Sequence, residues 1–543
     1  LLTLADGDEL CGRALHTWLR WLFGALTATV MTGVPLCAAG AVLDTPQWRP
    51  ALHYSPQRNW MNDPNGLVYY KGIYHLFYQY NPSANVWGNM SWGHATSRDL
   101  LHWTEQPVAL AANHTEEVFS GSIVLDADNT SGLGTAAKPP LVALYTSAYK
   151  AGSGHMPGVQ AQSLAWSTDA GETWHRYAHN PVLTLDPESK QFRDPKVSWY
   201  APGGYWLMCA VVADANVVKF YRSNNLIDWT FLSDFTLPDV PHHGALWEMP
   251  DLFPLALDGN PANKKWVMLV NVNPWSIAGG SGAMYFVGDF DGTRFVPLNV
   301  APAGSNPARF QWLDHGADYY AAGTFSNAPG DKIVAVGWMS NWDYANDVPT
   351  SPWRGAMALP RELSLATVDG SPQLVFGPVR SYASLVEQSP ATRLGTIDVV
   401  WSTRTLPATT NGVIQDIELT IEPGDASRAG LVVRGSPDGK TGTRIFYDTR
   451  AQTLTVDRSH AAHTSFSPAF SPQHIVNLPL HDGRLHLHIV VDRASVEVFV
   501  DRGRYVITDA IFPRLTDNRV SLFAEGGDAT FRDVVVTDLS HSH

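Results

Sequence analysis

Three segments of this chain repeat one local pattern: a serine, a short polar turn and a tryptophan. They are Ser97-Arg98-Asp99-Leu100-Leu101-His102-Trp103, Ser167-Thr168-Asp169-Ala170-Gly171-Glu172-Thr173-Trp174 and Ser223-Asn224-Asn225-Leu226-Ile227-Asp228-Trp229, with a looser fourth at Asp289-Phe290-Asp291-Gly292-Thr293-Arg294-Phe295. The closing aromatics fall 71, 55 and 66 positions apart, room for one four-stranded sheet and its loops. From about residue 50 to 385, short runs of Val, Tyr, Phe and Trp alternate with clusters of Gly, Asn, Asp and Pro, and no long segment carries a helical period. Repeated four-stranded sheets predict a β-propeller, of about five blades at this spacing. A sandwich with coincidental turn similarity is the competing reading.

Beyond about residue 390 the texture changes. Ile445–Asp448, Leu454–Asp457, Leu485–Asp492 and Ser495–Val500 alternate apolar and polar residues, the mark of half-buried antiparallel strands. The chain is therefore expected to be all-β, with a propeller over residues 43–385 and a β-sandwich over 386–543, connected through the region of Tyr382 to Thr405. At 543 residues it exceeds one ordinary core, in keeping with two domains. Residues 1–42 read as an N-terminal extension and export signal. Arg13 and Arg20 precede an apolar run from Trp21 to Cys37, and small residues follow at Ala38-Ala39-Gly40-Ala41. The expected location is extracellular or periplasmic, with no integral membrane association after the signal is removed.

Removal of that segment leaves Cys209 alone of three cysteines, so no intrachain disulfide is available. Cys209 lies in an apolar run, Tyr205–Val212, and reads as a buried strand residue. No metal is expected, since CxxC and HExxH patterns are lacking. Asp126–Gly132 resembles a calcium loop, but Ala137 stands where a bidentate Glu is needed, so it reads as a turn. His486 and His488 share one face of a strand and read as exposed histidines without further ligands.

Composition narrows the ligand. The chain has 20 Trp, 19 Tyr and 21 Phe, and only 16% of residues are charged. Aromatic faces stack on sugar rings while their edges hydrogen-bond. A net charge of −14 argues against nucleic acid and anionic membranes, and leaves a neutral, hydroxyl-rich ligand unopposed.

Three carboxylates stand beside aromatics in different repeat units. Asp63 lies in Trp60-Met61-Asn62-Asp63-Pro64-Asn65-Gly66-Leu67, Asp194 in Phe192-Arg193-Asp194-Pro195, and Glu248 in Trp247-Glu248-Met249-Pro250. Each is followed at once, or one residue later, by Pro, which ends the local ladder and leaves the acid at a kink. Asp-Pro-Asn-Gly is strong turn chemistry and, taken alone, reads as a surface hairpin. Three acids in one repeating frame point instead to a shared site. Two carboxyl groups facing each other across a sugar linkage suffice for glycoside hydrolysis. Glu248, pressed against Trp247 and Met249, is cast as proton donor by desolvation. Asp63, among Asn62, Asn65 and turn amides, stays ionised as nucleophile. Asp194, held charged by Arg193, grips substrate hydroxyls.

Together these three segments resemble the signature segments of glycoside hydrolase family 32, the invertases, inulinases and levanases. The resemblance extends through Trp87–His94, Phe119–Ser122, Gly337–Trp342 and Ala494–Asp501, and spans about residue 50 to the end. It implies a five-bladed propeller carrying the site, a C-terminal β-sandwich, and cofactor-free retaining hydrolysis of terminal β-D-fructofuranosyl linkages. Position by position, it implies Asp63 as nucleophile, Glu248 as acid/base and Asp194 as transition-state stabiliser. Asn62, Gln79, Trp87, Ser120, Arg193 and Trp342 are implied as the wall of a fructose pocket.

Many invertases carry Cys after the acid/base Glu, whereas this chain has Met249, a form closer to microbial exo-fructanases. The surroundings of Trp87–His94 also look closer to exo-inulinase and levanase. The resulting expectation is an exo-acting fructan β-fructosidase that also cleaves sucrose, with inulin or levan as substrate. A sucrose-directed invertase, a fructosyltransferase and an inactive sugar-binding propeller are the alternatives. Asn89, Asn113 and Asn129 open glycosylation sequons.

Overall fold

The computed structural model describes residues 44–237, 244–298 and 306–541, so the reading of residues 1–42 as an export signal lies outside the described residues. Five four-stranded antiparallel sheets follow one another along the chain. Blade I comprises Asn59–Tyr70, Ile73–Asn81, Ser91–Ser97 and Trp103–Leu110. Blade II comprises Glu116–Leu125, Leu141–Tyr149, Gln160–Ser167 and His175–Arg176, and blade III Phe192–Tyr200, Tyr205–Val212, Val217–Ser223 and Thr230–Phe235. Blade IV is Leu246–Leu257, Asn260–Asn273, Gly282–Phe290 and Phe295–Pro297. Blade V is Tyr320–Thr324, Ile333–Trp338, Arg361–Val368 and Ser371–Pro378. The first strand of each blade is innermost and packs against the first strand of the next. The ring closes where Asn59 and Trp60 of blade I pair in parallel with Trp353 and Arg354 beside blade V.

The sequence repeat encodes one turn at the outer edge of successive blades. In blade I, Ser97 Oγ accepts the N–H groups of Asp99 and Leu100, and the Trp103 indole donates to the Leu100 carbonyl at 3.0 Å. Trp174 Nε1 donates to Gly171 O and Trp229 Nε1 to Leu226 O, the same contact in blades II and III. The indole thus closes the turn that returns the chain from the third strand to the fourth. In blade IV the indole is missing, and Asp291 closes the turn through the N–H groups of Thr293 and Arg294.

A second sheet pair follows. One six-stranded sheet runs Ala391–Val400, Asp528–Asp538, Gln415–Glu422, Leu485–Asp492, Ser495–Val500 and Tyr505–Ala510, and the other runs Thr403–Thr405, Arg519–Glu525, Arg428–Gly435, Thr443–Asp448, Thr453–Asp457 and Gln473–Asn477. Their inner faces meet through Ile417, Leu419, Leu487, Ile489, Val496 and Val498 on one side and Leu431, Val433, Ile445, Val456 and Leu522 on the other, all buried. Burying a side chain of this size contributes about 2 kcal/mol, which is how this sandwich holds together without a disulfide.

One expectation is corrected. Residues Arg380–Gln388 form an α-helix, a period too short to register in a strand-rich sequence. The connection between the sheet systems is that helix and not the whole stretch from Tyr382 to Thr405, because Ala391–Val400 is already a strand paired with Asp528–Asp538. The two sheet systems share a core in which Leu359, Leu363 and Tyr382 pack with Val490, Phe499 and Val506. Charges are buried there as well. Arg361, fully buried, binds Glu497 at 2.7 Å and Asp314 at 2.8 Å. His53 bridges Asp492 and Glu497 at 2.8 Å each.

Candidate active site

Each inner strand carries a break in register at the same level of the ring. The breaks fall between Met61 and Pro64, Phe119 and Gly121, Arg193 and Lys196 opposite Cys209 and Val211, Glu248 and Asp251, and Tyr320 and Gly323. A bulge turns a side chain out of the alternating pattern, and five bulges facing one axis turn five sets of side chains into one funnel. Asp194 at φ +61° and Met249 at φ +46° are held in the left-handed region by these bulges, a conformation costly for ordinary residues and typical of functional sites. This corrects the turn reading of Asp63-Pro64-Asn65-Gly66, which lies inside the continuous strand Asn59–Tyr70. The prolines after the acids likewise sit within bulges and do not end their strands.

The funnel opens into a cavity of about 420 Å³ lined by Asn62, Asp63, Gln79, Trp87, Phe119, Ser120, Gln160, Gln191, Arg193, Asp194, Leu246, Glu248 and Trp342. All nine residues singled out in the sequence are on this wall.

Asp63 sits in a graded set of donors. The Trp60 indole donates to Asn62 Oδ1 at 2.8 Å, Asn62 Nδ2 donates to Asp63 Oδ1 at 3.0 Å, and Ser120 Oγ donates to Asp63 Oδ2 at 2.7 Å. Burial, with the Glu248 charge adding, nevertheless pushes the Asp63 carboxyl up to about 6, against the Ser120 and Asn62 hydrogen bonds. Trp342 stacks on Trp60 at 5.7 Å and so braces this wall.

Glu248 is paired. Arg193 donates to its Oε1 from Nε at 3.2 Å and from Nη2 at 3.0 Å, and the Tyr320 hydroxyl donates to Oε2. Its expected contact with Trp247 and Met249 is corrected: successive strand residues point to opposite faces, Trp247 stacks on Phe235, and Met249 packs with Trp60 and Met90. The expectation that Arg193 holds Asp194 charged is also corrected. The guanidinium lies 3.9 Å from Asp194 and turns its forked donors to Glu248. Burial pushes Asp194 well above the usual carboxylate range, Arg193 opposing and the Glu248 and Asp63 charges adding. Asp194 Oδ2 accepts the Met249 N–H at 3.0 Å, and its own N–H donates to Thr146 Oγ1 at 3.0 Å.

Sequence reasoning missed Tyr320, Gln160 and Gln191. The two Gln carboxamide oxygens accept Arg193 Nη1 at 3.2 and 2.7 Å. Tyr320 stands between Tyr319 and two alanines, outside the acid-then-proline pattern that marks the three carboxylates, so that pattern does not flag it.

Cys209 is buried with its thiol toward the Lys196 and Pro250 carbonyls, as a strand residue. Asp126 is consumed by Thr130 and Ser131, whose N–H and hydroxyl groups it accepts, which fits the turn reading. The histidine strand differs from expectation: His486 and His488 are half-buried, and His488 Nε2 meets Asp416 at 2.5 Å.

Known proteins are similar to this chain over most of its length. The profile for the glycosyl hydrolases family 32 N-terminal domain matches residues 53–378, and that for the glycosyl hydrolases family 32 C-terminal domain matches 382–538. A levanase of Bacillus subtilis is 43% identical over 91% of this chain and 70% of its own length. An extracellular exo-inulinase of Aspergillus ficuum is 40% identical over 92% of this chain and 97% of its own. The crystal structure of an exo-inulinase from Aspergillus awamori superposes with a TM-score of 0.83 at 39% identity, covering 90% of this chain and 97% of that one.

Proposed function

The chain belongs to the glycosyl hydrolases of family 32, and from that premise we propose that it releases terminal β-D-fructofuranosyl residues from fructans and sucrose by double displacement. The observation that carries the reading is the convergence of carboxyl groups from blades I, III and IV on one cavity.

In the first step an Asp63 oxygen attacks the anomeric carbon of the fructosyl unit. The bond to the leaving oxygen breaks as Glu248 gives that oxygen a proton, leaving a fructosyl ester on Asp63 and a free leaving sugar. In the second, Glu248 takes a proton from water, the water oxygen attacks the same carbon, and the ester breaks to release fructose. Asp194, fixed by the Met249 amide and raised by burial, is assigned to the fructosyl hydroxyls. Asn62, Gln79, Trp87, Ser120, Arg193 and Trp342 are assigned to the surrounding pocket. The test is product analysis on inulin, levan and sucrose. Free fructose is expected from the first turnovers, alone from inulin and levan and with an equal amount of glucose from sucrose; longer fructans mean transfer, and no product from any of the three overturns the proposal.

We further assign residues 43–385 to the propeller domain and 386–543 to the sandwich, a division supported by the last propeller strand ending at Pro378 and the helix that follows. Export through residues 1–42 is supported by Arg13 and Arg20 ahead of the apolar run from Trp21 to Cys37 and by the extracellular designation of the Aspergillus relative. Among the described residues no helix is long and apolar enough to cross a membrane.

A further inference from the structure

We propose that the sandwich sets one wall of the sugar pocket: Arg458, through the Tyr344 hydroxyl and Asp318, fixes the turn that carries Trp342 into the cavity. The inference rests on the hydrolase reading above and adds two positioning residues to it, Tyr344 and, from outside the propeller, Arg458.

Trp342 does not lie on a blade strand. It sits in the connection between Ile333–Trp338 and Arg361–Val368 of blade V, lines the cavity and stacks on Trp60. The ring keeps that place only if the turn beneath it is held. The N–H groups of Tyr344 and Ala345 donate to the Asn341 carbonyl at 3.1 and 2.8 Å, which closes the turn. Residues 341–345 are therefore one unit, with Trp342 between two anchors. The first anchor belongs to the propeller: Asn341 Nδ2 donates to Ala317 O at 2.9 Å, and the Trp342 N–H donates to Ser281 Oγ at 3.0 Å.

The second anchor is Tyr344, and its partner comes from the sandwich. Arg458 follows the strand Thr453–Asp457, and its guanidinium carbon lies 3.6 Å from the centre of the Phe470 ring. Arg458 Nη2 donates to the Tyr344 hydroxyl at 3.1 Å, that hydroxyl donates to Asp318 Oδ1 at 2.7 Å, and Asp318 Oδ2 accepts Arg458 Nη1 at 2.7 Å. The three groups form a closed ring of charge-assisted hydrogen bonds, and all three side chains are buried. Arg458 has no freedom to follow the turn, because Nε also donates to Ser471 O at 2.8 Å and Nη1 to Ala510 O at 2.9 Å. The turn follows Arg458. An ion pair anywhere along the contact would join the two sheet systems, but this one ends two residues from a side chain of the cavity wall.

The competing role is adhesion: the ring joins propeller to sandwich and leaves the pocket as it is. Weaker adhesion lowers the folded fraction, and with it the apparent kcat, while the molecules still folded bind sucrose as before. A displaced Trp342 weakens binding in every molecule and raises KM. Two substitutions separate these roles. Tyr344→Phe keeps the ring against Phe466 and Phe470 and removes the hydroxyl; Arg458→Lys keeps a cation for Asp318 and removes the fork. Each is made alone and on a Trp342→Leu background, and assayed on sucrose well below its melting temperature.

KM is expected to rise at least about 3-fold in Tyr344→Phe and about 10-fold in Arg458→Lys, with kcat changed less than KM in each. On the Trp342→Leu background neither substitution should raise KM further, since the side chain they position is gone. Unchanged KM in Tyr344→Phe, whatever happens to kcat or to the melting temperature, overturns the proposal in favour of adhesion. An equal rise in KM with and without Trp342 also overturns it, because the effect then reaches the pocket by another route. Should Arg458→Lys fail to fold, Tyr344→Phe decides alone. If the unsubstituted protein cleaves no sucrose, the hydrolase reading itself fails, and the inference falls with it.

Discussion

Arg193 reaches across from blade III to Glu248 of blade IV with both Nε and Nη2 on a single carboxylate oxygen, at 3.2 and 3.0 Å. This places a fixed cation at the carboxyl assigned to proton transfer and fixes the rotamer of that side chain from one side, while Tyr320 holds the other oxygen. Lysine cannot reproduce the fork. Arg193→Lys is therefore expected to lower kcat on sucrose about 10- to 100-fold, the equivalent of one or two charge-assisted hydrogen bonds. On p-nitrophenyl β-D-fructofuranoside, whose leaving group departs without a proton, the loss should be several-fold smaller. Equal losses on the two substrates would contradict the pairing with the acid.

Tyr320→Phe keeps the ring that packs with Trp60 and Trp338 and removes the hydroxyl that faces Glu248. The expected result is about a 10-fold fall in kcat with little change in melting temperature, since one hydrogen bond is lost and no cavity opens. Steady-state kinetics beside a thermal melt check both halves.

Burial, with the Glu248 charge adding, pushes the Asp63 carboxyl up to about 6, so the carboxylate assigned as nucleophile is lost as the pH falls through that value. The acid limb of kcat/KM should have its midpoint near 6. Stability runs the other way. The folded-state value exceeds the ordinary 3.8, so the contribution of Asp63 is fully present below 3.8 and is lost as pH rises through about 6. Asp63→Asn removes that loss, and the variant should be inactive yet more stable than the unsubstituted protein at pH 8, by on the order of 2 kcal/mol, with the difference vanishing near pH 4. Denaturant melts at the two pH values measure it.

The contact between propeller and sandwich should be the alkaline weak point. Against its burial, the hydrogen bonds of His53 to Asp492 and Glu497 push it up to about 9. Its stabilisation is complete below the ordinary 6.5 and lost as pH rises through about 9, so the melting temperature should fall between pH 8 and 10. Glu497→Gln leaves Arg361 and His53 short of their shared anion and should cost about 3–5 kcal/mol at neutral pH, the cost of breaking a buried ion pair. Unchanged melting in that variant would contradict the role of Glu497 as the joint.

What could be read in the sequence was whatever a repeat or a short motif writes locally. The Ser…Trp turn is a closed hydrogen-bond unit, so its recurrence gave the blade period. The three acids sit in aromatic and proline contexts, and the cavity wall holds them together with the six pocket residues carried by the family resemblance. What was hidden depends on bulges and on pairs distant in the chain. Arg193 stands beside Asp194 in sequence but binds Glu248, because strand neighbours diverge and the bulge turns Asp194 elsewhere. Tyr320, Gln160 and Gln191 carry no local signature and matter only because other blades bring Glu248 and Arg193 to them.

The central claim is a covalent fructosyl ester on Asp63, opened by attack from the face that the leaving group departed from. Cleaving sucrose in buffer containing methanol, and determining by NMR the configuration of the methyl fructofuranoside formed, tests it most directly. The β anomer is predicted; formation of the α anomer would contradict double displacement and the pairing of Asp63 with Glu248.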